Sequence, residues 1–281
     1  MAETPAQARR ETLRLILKSK TVWVGAVMLL FWVICALFGS HIAPHDAYQQ
    51  DLLHHNTPPD STHWAGTDQL GRDVFSRVIV GARTILIVAP LATLLGTVLG
   101  TILGLAMGYF RGLVDDVLSR MVEAVLALPL VIVSLTVLAA TGTSNLALIV
   151  VIGLVFAPII ARTVRAAVLT EREQEYVTAA QLRGERSTYI LFQEVMPNVL
   201  PPILVEFTVR LGYAIFAVAT LSFLGFGPQP PSPDWGAQIN DAYALISAGF
   251  WWESLAPAFA IASLVVGVNL IADGRQRAVT Q

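Results

Sequence analysis

Five histidines, His41, His45, His54, His55 and His63, fall within residues 39–81, with Asp46, Asp51 and Asp60 among them. Imidazoles and carboxylates are the ligands of transition-metal sites, and a metal-bound water is one route to hydrolysis. The spacing argues against such a centre. His41 and His45 share a face only in a helix, Pro44 between them opposes that helix, and no HExxH is present. The stretch reads as a solvated loop without a bound metal. Cys35, the single cysteine, lies in an apolar run with no partner for a disulfide and reads as a filler. No G-x-S-x-G carries a serine nucleophile, no G-x-x-x-x-G-K-[ST] cradles a phosphate, and no lysine follows Lys20. The chain is therefore expected to be non-catalytic and to bind no cofactor of its own.

A second pattern is made for contact, not for chemistry. Residues 175–184 read Glu-Tyr-Val-Thr-Ala-Ala-Gln-Leu-Arg-Gly, followed at 196–198 by Met-Pro-Asn. Ala and Gln favour helix, and Gly184 supplies a left-handed stop, so a short helix lying along the membrane is predicted within 171–184. Ala179 and Ala180 lack bulk, which lets a partner's cleft close on the backbone. Tyr176 and Leu182 are expected to anchor it, and Glu175, Arg183 and Arg186 to pair at the rim. Thr178 and Pro197 complete the pattern.

The elements that must present this segment are apolar. Hydrophobic residues make up 55% of the chain and charged residues 14%, with mean hydropathy +0.64, which is the composition of a membrane protein. Crossing a hydrocarbon core takes about 20 apolar residues. Six stretches qualify or nearly so: 21–38, 84–109, 117–140, 146–168, 199–223 and 251–271. The first lacks a small-residue cleavage site and is read as retained. With the N-terminus inside, the outer segments hold only Arg72, Arg77 and Arg83. Arg210 lies within a span, and every other Lys and Arg faces inward. Both termini and the 169–198 loop are thus expected in the cytoplasm. The predicted architecture is all-α: a cytoplasmic segment 1–20, a first span with outer loop and interfacial helix over 21–83, a five-helix core over 84–274, and a tail 275–281.

Within the spans, Gly96, Gly100, Gly104 and Gly108 recur every fourth residue and make a side-chain-free ridge for helix packing, either within the chain or against a partner. Phe75, Val78, Ile79 and Ala82 are spaced for an amphipathic helix at the interface before span two. Pro129 is expected to kink span three, and Pro158 lies in span four. Glu206 and Arg210 stand one turn apart, about 10 and 16 Å into span five. A lone arginine there costs about 2.5–3.5 kcal/mol, so the two are expected to pair, as an internal neutralised couple or as a polar wall of a pathway.

These motifs resemble the inner-membrane permease subunits of binding-protein-dependent ABC importers in the dipeptide, oligopeptide and nickel class. Residues 178–184 with 196–198 resemble that family's cytoplasmic signature, a double alanine, a glycine after three further residues and a later Leu-Pro. Here Thr178 stands where Glu is usual and Met196 precedes the proline. Gly66-Thr-Asp-Gln-Leu-Gly-Arg-Asp-Val-Phe-Ser-Arg77, Leu221-Ser-Phe-Leu-Gly-Phe-Gly227, Pro230-Pro-Ser-Pro-Asp-Trp-Gly236 and Asn269-Leu-Ile-Ala-Asp-Gly274 narrow it to the peptide class and to its second, C-type permease. The Glu206–Arg210 pair departs from the family, which is usually uncharged there. The resemblance implies a type I importer permease fold in the bacterial inner membrane. It implies a second permease, two ATP-binding subunits or a fused ATPase holding ATP and Mg, and an extracytoplasmic substrate-binding protein. The bilayer is the remaining partner, and no nucleic acid is involved. Coupling runs through residues 171–197, and the cargo is a peptide, or nickel, haem or glutathione. A proton- or sodium-driven carrier would need buried acidic relays, and beyond Glu206 the span interiors hold none. An intramembrane hydrolase would need its histidines in the spans.

Overall fold

The computed structural model describes residues 19–280, with the side chains of 275–280 left out. The basic residues Arg9, Arg10, Arg14 and Lys18 of the expected cytoplasmic segment lie outside the described residues, as do the side chains of Arg275 and Arg277. Described residues are almost entirely helical: α1 Lys20–Ile42, α2 Val74–Phe110, α3 Gly112–Leu126, α4 Leu130–Thr141, α5 Asn145–Arg172, α6 Glu175–Leu182, α7 Met196–Leu221, α8 Trp235–Ala242 and α9 Trp252–Thr280. Wide-turn segments flank α7 at Ile190–Val195 and Ser222–Phe226. Five helical runs are long and apolar enough to cross a membrane, and six if α3 and α4 are one span.

Two expectations need correction. The third span is not one kinked helix: α3 and α4 meet at 87° across residues 127–129. Pro129 has no N–H to continue the ladder and sits at the cap of α4 with extended backbone, φ −60° and ψ 122°, so one helix ends and another begins. Nor is there a separate interfacial helix. Residues 75–82 are the first turns of the 37-residue α2, which passes Pro90 without a break. Val78, Ile79 and Ala82 are buried, which explains their periodicity without a membrane surface.

The chain divides into two compact units. The first comprises Met1–Val88, Thr143–Asn145 and Ile215–Gln281. In it α1 lies against α9, with Gly25 closing on the Gly267 carbonyl; a Cβ there would sit 2.6 Å from that oxygen. Trp32 donates its indole N–H to Ser263 Oγ at 2.9 Å and meets Trp235 edge-on at 4.8 Å. Trp235 in turn donates to the Val78 carbonyl at 2.8 Å. Each buried indole has a partner for its one donor, as burial requires.

The second unit comprises Ala89–Gly142 and Leu146–Ala214. Its spine is the glycine ridge of α2 laid along α5. Cβ atoms at Gly96, Gly100 and Gly104 would lie 2.9, 2.7 and 2.7 Å from the carbonyls of Gly153, Ala157 and Ala161, and one at Gly108 would lie 2.7 Å from Val168 Cβ. The ridge thus meets a helix of the same chain. Helices associate in lipid by close packing, and only glycine allows this approach. Met107, Val122 and Ala161 form an apolar cluster bringing α3 onto the pair, and Arg165 clamps Asp115 through two 2.6 Å hydrogen bonds.

Candidate functional site

The 175–184 segment folds as predicted locally. Helix α6 ends in a left-handed cap: Gly184 has φ +77°, its N–H donates to the Gln181 carbonyl at 3.0 Å, and Glu185 N–H reaches the Ala180 carbonyl at 3.2 Å. A side chain at Gly184 would meet open space, so glycine is required there by backbone conformation alone.

One face of α6 is buried and the other bare. Val177 and Ala180 are fully enclosed, and the helix packs against the Ile190–Val195 segment, where Ile190, Leu191 and Val195 are buried. Ala180 is therefore a packing residue and not part of an open docking face. Tyr176 is likewise not a free anchor. Its hydroxyl donates to Glu171 Oε1 at 2.6 Å at the end of α5 and accepts from Asn198 Nδ2 at 2.9 Å in the first turn of α7. Burial and the bond to Glu171 push its phenol up to about 12, so it remains a donor. Arg183 pairs inside the chain with Glu194 at 3.4 Å and Glu185 at 3.9 Å.

Left exposed are Glu175, Thr178, Ala179, Gly184 and Pro197, with Leu182 standing 84% exposed. Beside them an open groove is lined by Gly184, Arg186, Tyr189 and Phe192, of which Tyr189 and Phe192 are about half exposed. An exposed leucine thus stands on a small-residue face beside two half-exposed aromatics. The bonds that Glu171 and Asn198 make to Tyr176, and the exposure of Tyr189 and Phe192, were not legible in the sequence. Only the length of the 171–198 loop hinted that its ends meet.

Glu206 and Arg210 form the expected pair, Arg210 Nε donating to Glu206 Oε1 at 2.7 Å and Nη2 lying 2.6 Å away. The guanidinium also stands 5.5 Å over the Tyr213 ring. Both charged side chains are mostly but not fully enclosed, at 13% and 19%.

The histidine-bearing segment before α2 is largely exposed, as a solvated loop is, but its end at 66–77 is tied together by hydrogen bonds. Asp68 accepts from the N–H groups of Leu70 and Arg72 at 2.9 Å, and its other oxygen takes Arg72 Nε at 2.7 Å with Arg77 Nε at 3.6 Å. Arg77 is buried and donates to the Ala47 carbonyl at 3.1 Å. Gly71, with φ +71°, passes so close to Asp51 that a Cβ would fall 1.8 Å from its carbonyl oxygen. The Gly66–Arg77 motif is thus a structural knot at the head of α2.

Residues 100–281 match the family described as binding-protein-dependent transport system inner membrane component. This chain belongs to that family. Residues 8–59 also match the N-terminal transmembrane domain of oligopeptide transport permease C, the C-type assignment. The permease is 36% identical over 265 residues to the dipeptide transport system permease DppC of Bacillus subtilis, covering 94% of this chain and 83% of the relative. It is 36% identical over 254 residues to the glutathione transport system permease GsiD of Escherichia coli, covering 89% and 82%. Among solved structures it resembles the MetNI methionine ABC transporter in inward-facing conformations, with TM-score 0.59 at 20% identity over 73% of this chain and 97% of that one, a likeness of fold. The chain is a multi-pass inner-membrane permease subunit of the type I importer fold.

Proposed function

We propose that this permease pairs with a second permease to form the translocation pathway of an ATP-driven peptide importer, moved by ATPase subunits that dock on α6. Supporting the cargo are the dipeptide permeases at 36% and 34% identity. Glutathione, itself a short peptide, is the second reading, on the 36% match to a glutathione permease. The N-terminus, the tail and α6 lie on the cytoplasmic side by the distribution of Lys and Arg. ATP and Mg belong to the ATPase partners, and a substrate-binding protein delivers cargo from outside. Glu206 and Arg210, half a span deep and still reachable, contribute a polar patch to the pathway.

The observation that carries the coupling role is the hold on α6. Its inner face is fixed to Ile190–Val195 and its Tyr176 joins the ends of α5 and α7, while its outer face is bare. A force on that face is delivered to two membrane helices at once. The test uses Ala179, which is exposed, so Ala179→Arg leaves stability within about 0.5 kcal/mol. In the reconstituted complex, peptide uptake and cargo-stimulated ATP hydrolysis should fall at least about tenfold, a loss of about 1.4 kcal/mol in coupling, with the variant still present at normal yield. Undiminished uptake in Ala179→Arg refutes α6 as the docking element. Mass spectrometry of ligand released from the cognate binding protein decides between a general peptide cargo and glutathione.

A further inference from the structure

Folding brings together three residues of the outer segment that sequence separates. His63 Nδ1 lies 2.9 Å from Asp73 Oδ1, His45 Nδ1 lies 3.8 Å from Asp73 Oδ2, and the two imidazoles face each other with centroids 4.7 Å apart at 33°. One donor atom from each residue falls within 4.8 Å of the others. We propose that His45, His63 and Asp73 form a three-ligand site for a first-row divalent transition cation of the Zn, Ni or Co type, with a fourth position open to water.

Four features support it. First, the ligand types suit: two imidazoles and a carboxylate are the donors such ions take, and three protein ligands leave an open position. Second, His45 Nδ1 is buried and has no hydrogen-bond partner although it points at a carboxylate, and an orphaned buried polar atom signals a missing water or ion. Third, Asp73 is 2% exposed and among the described residues is paired with no Lys or Arg. The nearby Arg72 and Arg77 are committed to Asp68. Its charge is met by the two imidazoles, Ser76 and the start of α2, so no fixed side-chain cation among the described residues competes with an ion for it. Fourth, an outer shell is already built. Ser76, fully buried, donates Oγ–H to Asp73 Oδ2 at 2.6 Å and its N–H to the same oxygen at 2.8 Å, while its Oγ accepts from the His45 backbone N–H at 3.1 Å. One serine thus orients two of the three ligands.

Tetrahedral ligands at metal bonds of about 2.0–2.2 Å stand about 3.3 Å apart. The widest pair must therefore close by about 1.5 Å, within reach of an imidazole rotation on the open side, where the His45 and His63 side chains are 36% and 22% exposed. The site ties the segment after α1 to the first turn of α2 and so acts on the outer knot, not on the helices that take up cargo.

The permease complex, purified in detergent and stripped with chelator, is titrated with Co²⁺. One equivalent per chain should bind with the intense visible absorption of a four- or five-coordinate nitrogen-ligated ion, and Zn²⁺ should displace it and raise the unfolding temperature. His45→Gln, a part-exposed position that keeps the fold, should weaken Co²⁺ binding by about tenfold or more and lose the Zn²⁺ stabilisation. Replacing His41, His54 and His55 together should change neither. A pale aquo-ion spectrum in the unaltered complex, or His45→Gln binding as tightly as the parent, overturns the proposal and leaves a hydrogen-bonded anchor with water at His45.

Discussion

The segment ahead of α2 and the loop around α6 are built by opposite rules. Ahead of α2, charges are drawn inward: Asp68, Arg72, Asp73 and Arg77 are all largely enclosed and bonded to one another or to backbone. Around α6, small residues are turned outward, and the helix is held by Val177, Ala180, the Tyr176 phenol bridge and the Arg183–Glu194 ion pair. The first arrangement fixes a position, and the second leaves a short helix graspable from outside yet joined to its neighbours. Buried ionic networks are costly to break, whereas a lightly tethered surface helix can be altered with little loss of fold.

That contrast is sharpest at Asp68. Asp68→Ala should leave two arginines without their carboxylate and cost about 3–5 kcal/mol, the range for breaking a buried pair. Thermal unfolding of the purified complex should show it directly, and an unchanged unfolding temperature would erase the distinction between the regions. A smaller effect is expected at Tyr176→Phe, which removes the hydroxyl joining Glu171 and Asn198. About 1 kcal/mol of local stability is lost, little of it visible in global unfolding, while cargo-stimulated ATP hydrolysis should drop severalfold with basal hydrolysis unchanged. If basal and stimulated rates fall together, Tyr176 serves the fold and not the linkage. Least disturbing is Gly184→Ala: space is open, so only the left-handed backbone is penalised, about 1 kcal/mol. Fraying of the α6 end by hydrogen exchange measures it.

Much of this was legible from residue types. Runs of about 20 apolar side chains locate the spans because in lipid such an uninterrupted run satisfies its backbone within itself only as a helix. The extent of α6 could be read because Gly184 marks its end by a conformation few other residues adopt. Pro129 pointed to a kink, but the 87° turn between two helices lies beyond what one proline specifies, and α3 packs on Met107 and Ala161 from elsewhere in the chain. The spacing of Phe75, Val78, Ile79 and Ala82 marks one face of a helix but not what covers it, since a protein core and a membrane surface impose the same periodicity. Tyr176 and Ala180 looked like contact residues because sequence does not say which face of a short helix is covered. The grouping of His45 and His63 about Asp73 was hidden for a related reason: a local pattern search sees only near neighbours, and Pro44 correctly ruled out the local version.

The glycine ridge has a mechanical corollary. Its flat edge is notched once per turn by the side chains and carbonyls of α5, so the 89–110 portion of α2 and α5 are geared together like a rack and its mating bar. Axial slippage of less than a full helical pitch, about 5.4 Å, would drive backbone into Phe156, Ile160, Val164 or Val168. The 89–110 portion of α2 and α5 are thus held to move as one body, free to swing together but not to shear.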